Sequence, residues 1–153
     1  LSFWSVSSEG NLMAFTGNFS CNTLRVAMTT GTINFATDSF KLALYTNSAT
    51  LDETTTTYTS VGESSGGNYV ATGQVVTATL NYATTTTGSI AYVTFSSPAW
   101  TGSITARGAL IYKDGGTSPA ICVLDFGNDK TSVNSFTITM PTDTSTSALI
   151  RLL

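Results

Sequence analysis

The sequence predicts an all-β fold: an antiparallel β-sandwich, jelly-roll or immunoglobulin-like, of about seven or eight strands with one short N-terminal helix. Three observations lead there. Period-two runs of apolar and β-branched residues recur along the chain, separated by Gly, Pro, Asn and Asp. The polar surface is built from hydroxyls: 30 Thr and 19 Ser stand beside only 6 basic and 9 acidic residues. A hydrophobic fraction of 41% with a net charge of -3 over 153 residues suits one self-sufficient core and not a disordered chain.

The elements can be justified in chain order. Residues 21–28 form the helix, with Leu24, Ala27 and Met28 on one face, Asn22 as N-cap and Gly31 beyond the end. The Thr content there keeps a strand as the close alternative. Residues 40–46 alternate: Phe40, Leu42 and Leu44 share one face, Lys41, Ala43 and Tyr45 the other. Residues 52–68 are rich in Thr, Ser and Gly and predict a long surface loop. Residues 74–80 read as one strand with Val76, Ala78 and Leu80 together, and 90–95 as the next. The longest run, 103–113, puts Ile104, Ala106, Gly108, Leu110 and Tyr112 on one face. Gly108 in its middle marks a bulge or a close neighbour. After the Asp114-Gly115-Gly116 turn, residues 120–126 are nearly all apolar, as in a central strand. Residues 136–140 alternate three apolar side chains with two Thr before Pro141, and 148–153 form the last strand.

Composition also excludes chemistry. The chain has no His, so neither a Ser-His-Asp nor a Cys-His arrangement can form, and zinc loses its usual nitrogen ligand. Lys41, Lys113 and Lys130 and the carboxylates keep lysine and paired-acid chemistry formally open. The low charge argues against nucleic-acid binding, which needs a basic stripe. Every apolar run breaks well short of the ~20 residues of a spanning helix, and the opening residues lack the basic start of a secretory signal. Cys21 and Cys122 read as free thiols ahead of the alternative, a disulfide closing a long loop.

Few constellations stand out. Asp125-Phe126-Gly127 matches a kinase tripeptide without the rest of that machinery, and Asp125, Asn128 and Asp129 read as a turn before a calcium cradle. Asp52 and Glu53 are adjacent and so diverge on a strand, while nothing in the sequence brings Glu63 and Asp125 together. Arg107 lies between small residues, where it either clasps a carboxylate, reaches across a subunit interface, or covers apolar surface with its stem. Trp4, Tyr45, Tyr58, Tyr69, Tyr82, Tyr92 and Trp100 offer stacking platforms for sugar, although core packing is the commoner use of strand aromatics.

The first twelve residues differ in character from the rest of the chain. Glu9-Gly10 can be encoded by a purine-rich ribosome-binding core, two codons before Met13. Residues 1–12 are therefore expected to be an N-terminal extension of translated upstream sequence, the alternative being an arm whose Phe3 and Trp4 pack on a neighbour. Residues 13–153 are expected to be a single β-sandwich domain. Four blocks within it, residues 13–19, 40–49, 105–112 and 123–130, together with the 136–141 strand and the 148–152 end, resemble a family of small proteins encoded by tailed bacteriophages, notably marine and environmental ones. Members are generally described as hypothetical or virion structural proteins. The resemblance implies a non-enzymatic virion protein, foremost a head decoration or cement protein that stabilises the capsid. A tail or tail-fibre component, a carbohydrate- or receptor-binding module and a self-assembling surface fibre subunit are the alternatives. The expected partners are a major capsid protein or other virion proteins and further copies of the chain, with no nucleic acid, membrane, cofactor or metal. Phe15, Phe19 and Arg107 are the expected assembly contacts.

Overall fold

A computed structural model describes residues 15–86 and 88–152. The expected extension 1–12, with Phe3 and Trp4, and the expected start at Met13 lie outside the described residues. The rest forms ten strands in three antiparallel sheets and one helix, numbered in chain order. The largest sheet runs β1 (Phe19–Ser20), β8 (Ala120–Ser132), β7 (Ile104–Lys113), β2 (Phe40–Tyr45) and β3 (Gln74–Val76). A second runs β10 (Ile150–Leu152), β5 (Gly88–Phe95) and β4 (Ala78–Thr85). A third pairs β6 (Ala99–Thr101) with β9 (Ser135–Thr137). Among the described residues none of the three closes into a barrel.

The five-stranded sheet is buried on both faces over β2, most of β7 and the first part of β8, residues 120–124, which is why these stretches are mostly apolar. On one face Phe40, Leu42 and Leu44 of β2 join Val93 and Phe95 of β5, Trp100, Phe136 and Ile150 in a common core. Phe35, Phe40 and Phe95 meet there with ring centroids 5.3–6.2 Å apart, tying the two larger sheets together. On the other face Ala43 and Tyr45 join Phe15, Cys21, Leu51, Leu110, Tyr112 and Val123. Both faces of β2 are thus as its alternation predicts.

In β7 the alternation misleads. Ile104 and Ala106 share a core with Ala109 and Ile111, whereas Leu110 and Tyr112 lie on the opposite face. The pairing with β8 slips between Ala106 and Gly108, where the single residue Arg107 of β7 stands against residues 126–129 of β8, and the side chains of β7 change faces across this irregularity. Gly108 is also the close neighbour it promised to be: a Cβ there would lie 2.4 Å from the Phe15 ring and 2.5 Å from the Leu124 carbonyl oxygen.

Other expectations are refined. The 74–80 run splits at Thr77, whose carbonyl accepts from Ser96 N–H while its own N–H bonds Ser96 Oγ, so β3 and β4 join different sheets. The helix, α1 (Asn22–Thr30), starts one residue later than read: Cys21 is the N-cap and Asn22 instead accepts from Arg25 Nη1 at 2.7 Å. Gly31 ends it in a left-handed conformation, its N–H on the Ala27 carbonyl. Phe136, Ile138 and Met140 are buried with Thr137 and Thr139 outward, although only the first part of this run pairs as a strand. Cys21 and Cys122 are both free and buried, on opposite faces of the large sheet. Burial pushes the Cys21 thiol up to about 12, with Asp52 adding to it, and raises that of Cys122 as well.

Candidate functional site

Two of the three expected assembly residues meet. Arg107, 3% exposed at the β7 bulge, is ion-paired with Asp125 of β8, and its guanidinium carbon sits 5.9 Å from the centre of the Phe15 ring. Of the three readings for Arg107, the structure shows a carboxylate clasped within its own chain. Asp125 Oδ1 also accepts the Gly127 N–H at 2.8 Å, while the Asp125 N–H donates to Asn18 Oδ1 at 2.7 Å. Asp125 thus makes a local Asx-type contact, but the turn read at Asp125, Asn128 and Asp129 is not formed: β8 continues as a strand through them to Ser132. Phe15 is 1% exposed, and Phe19 packs half-buried on the same core. All three residues therefore contact the interior of this chain.

Beside this cluster lies an open groove of about 480 Å³. Leu124 and Phe126 of β8, Ile138, Met140, Leu149, Asn18 and Lys130 are among the residues that line it. Such a lining can take an apolar side chain but offers little to orient a reacting group. A second groove of about 590 Å³ runs between α1 and the Gly115–Gly116 turn, and its Lys113 is held by Asp38 at 2.8 Å and the Thr32 carbonyl at 3.0 Å.

The densest polar cluster is one the sequence did not flag. Glu63 Oε1 accepts the Tyr69 hydroxyl at 2.6 Å and the Thr72 N–H at 2.7 Å, and Oε2 accepts the Tyr58 hydroxyl at 2.6 Å. Tyr45 donates to the Thr59 carbonyl and Tyr112 to the Thr72 carbonyl, at 2.6 and 2.7 Å. Burial raises the Tyr45, Tyr58 and Tyr69 phenols, reinforced by the Glu63 carboxylate, and pushes Tyr112 up to about 12. These tyrosines stay protonated donors at neutral pH. The arrangement latches the 46–73 segment onto β2: Ser64 N–H bonds the Leu44 carbonyl, and the Tyr69 hydroxyl receives the Leu44 N–H at 2.9 Å. The carboxylates Glu63 and Asp125 belong to separate clusters and do not face one another as an acid/base pair.

Of the aromatics considered as sugar platforms, Trp4 lies outside the described residues. Tyr45 and Trp100 are buried, and Tyr58, Tyr69 and Tyr92 are half-buried. Tyr82 alone among the described ones stands out, 79% exposed on β4. Among the described residues no group of three or more Cys, Asp and Glu could hold a metal, and no helix is long and apolar enough to cross a membrane. Comparison with family models, curated proteins and solved structures found no match to this chain.

Proposed function

We propose that this chain is a non-enzymatic structural subunit of a tailed-phage particle, foremost a decoration or cement protein of the head. The observation that carries the reading is electrostatic. Residues 64–106 contain no Asp, Glu, Lys or Arg, yet they build β3, β4, β5 and β6 and much of the outer surface. A neutral, hydroxyl-rich face suits side-by-side packing on a repeated lattice, where like charges would repel. The polar clusters add support, because Glu63, Asp125 and Asp38 are each engaged in holding the fold together. The four-block resemblance to tailed-phage proteins points the same way. Within this reading the fold is a β-sandwich of jelly-roll or immunoglobulin type, supported by the core shared between the five- and three-stranded sheets.

Repetition over a symmetric shell multiplies modest affinities, so each copy needs only weak contacts to clamp its neighbours. The groove beside Phe126 and Met140 suits an apolar side chain of a capsid subunit. Cryo-EM of the particle tests the proposal. Density fitting this chain, repeated over the head, is the expected result. Density on the tail, or a particle without the chain, overturns it. A self-assembling surface subunit is the second reading, favoured by the outer edge of β4, which no strand among the described residues pairs.

A further inference from the structure

We infer that β4 (Ala78–Thr85) is a docking edge for a second copy of the chain, joined by antiparallel β4–β4 pairing about a two-fold axis at Asn81. This deepens the assembly reading and rests on it only for its setting.

The chain's edges are unequal. β1, β3 and β10 are two or three residues long, too short to template another chain. β8 runs on past β1, but that stretch carries Asp125, Asp129 and Lys130, charges that discourage pairing. β4 has eight residues, no charge and no proline, and among the described residues it is paired only on its β5 side. It lacks the charge, the proline and the shortness that usually protect an edge.

The inner face of this sheet also outruns its cover. Ala78 and its partner Phe95 pack into the core, as does Val93 opposite Leu80. Farther along the same face, Leu80 is 48% and Tyr82 79% exposed. An apolar stripe that begins in the core thus continues into solvent.

Hydrogen-bond phase restricts the register, and the exposed pair Leu80 and Tyr82 selects among those it allows. The Thr77–Ser96 bonds show that odd-numbered residues turn their backbone groups toward β5. By the two-residue period, Ala78, Leu80, Tyr82 and Thr84 turn theirs outward. A two-fold axis at Asn81 sets Leu80 opposite Tyr82 of the second copy twice, and Ala78 opposite Thr84 twice, each as a hydrogen-bonded pair. The pairing is self-complementary, as an isologous interface must be, and matches the two exposed apolar residues with each other. The product is one continuous sheet in the order β10-β5-β4-β4-β5-β10. The carboxylate nearest the axis is Asp143, which accepts from Asn81 Nδ2 at 2.7 Å. Two copies bring two such charges together, which keeps the contact weak and reversible in a free subunit.

Sedimentation equilibrium across micromolar to millimolar concentrations tests this. The expected result is a monomer–dimer equilibrium weakened about tenfold or more in Leu80→Lys/Tyr82→Lys and strengthened in Asp143→Asn. Val61→Lys, equally exposed but off the edge, should leave it unchanged. Oxidative cross-linking reads the register: Asn81→Cys faces its own copy and forms a dimer, whereas Tyr82→Cys does not. The native cysteines are buried and do not interfere. A chain that stays monomeric throughout, a dimer indifferent to the Leu80/Tyr82 change, or cross-linking at position 82 alone overturns the pairing. None of these touches the particle reading, which fails only by its own microscopy.

Discussion

The molecule treats two of its strand edges in opposite ways. Along β2, where β3 stops at Leu42, the 46–73 segment takes over: Ser64 N–H, the Tyr69 hydroxyl and the Gly62 carbonyl engage Leu44 and Thr46 in place of a strand. Along β4 nothing comparable among the described residues covers the outer backbone groups. The first edge is sealed by non-local polar contacts clustered on one carboxylate. The second is uncharged and carries two exposed apolar side chains, Leu80 and Tyr82. Sealing costs ordered loop residues and strained backbone, so its absence at β4 is consistent with an edge kept for a partner.

The comparison breaks most readily at Glu63. Glu63→Ala leaves two phenols and the Thr72 N–H without an acceptor in a half-buried site. The expected loss is about 3–5 kcal/mol in urea unfolding, since each unsatisfied donor costs about 1–3 kcal/mol. Glu63→Gln keeps an acceptor at Oε1 for Tyr69 and Thr72 and should lose roughly half as much. Equal losses for both would show that charge, and not acceptor count, holds the latch.

Gly73 is the second weak point. It holds φ 79, and a Cβ there would lie 1.9 Å from the Leu42 carbonyl oxygen, on backbone that cannot swing away. Gly73→Ala should cost about 3 kcal/mol, combining overpacking with left-handed strain. Its neighbour Thr72 already adopts φ 81 and is held there by Glu63 and Tyr112. A Gly73→Ala protein with unchanged urea midpoint would mean that the loop can lift off β2 freely.

How much of the molecule was legible depends on the range of the signal. Alternation in residues 40–45 and 136–140 gave both faces correctly, because period two is a local property. The same rule failed in β7 after Ala106, since the break in its pairing with residues 126–129 of β8 leaves composition unaltered; Gly108 was its trace in β7. Residues 52–68 read as a bare surface loop for want of large apolar groups, and the latch was missed. Its members, Tyr58, Glu63, Tyr69 and Thr72, fit no helix or strand period and converge only once β2 and β7, which carry Tyr45 and Tyr112, are paired. Arg107 stood out by its small neighbours, but its partner Asp125 lies across a strand pair. The bare β4 edge was partly visible as a charge-free stretch, hidden by reading residues 74–80 as one strand.

Alkaline pH attacks the sealed edge and spares the bare one. Burial raises Tyr45, Tyr58 and Tyr69 in the folded chain, pushes Tyr112 from 10.0 to about 12, and pushes Cys21 from 9.0 to about 12. The folded state therefore holds protons that the unfolded state releases, and stability falls as pH rises. This contribution is fully present below pH 9 and is lost as the pH climbs through 12. Thermal melts should show a steady decline in Tm over that window. A Tm that stays unchanged from pH 9 to 12 would mean that the latch phenols ionise as readily in the folded chain as in the unfolded one.

The smallest expected effect is at the bare edge itself. Tyr82→Thr removes an aromatic ring that is 79% exposed and introduces a residue that favours strands. The change in unfolding free energy of the dilute monomer, read from urea titration, should stay within about 0.5 kcal/mol. Set beside the Glu63→Ala loss, that near-neutrality separates an edge held closed by the fold from one on which the fold does not depend. A loss above about 1 kcal/mol would show that Tyr82 packs within its own chain after all, and the contrast between the two edges would then be one of degree.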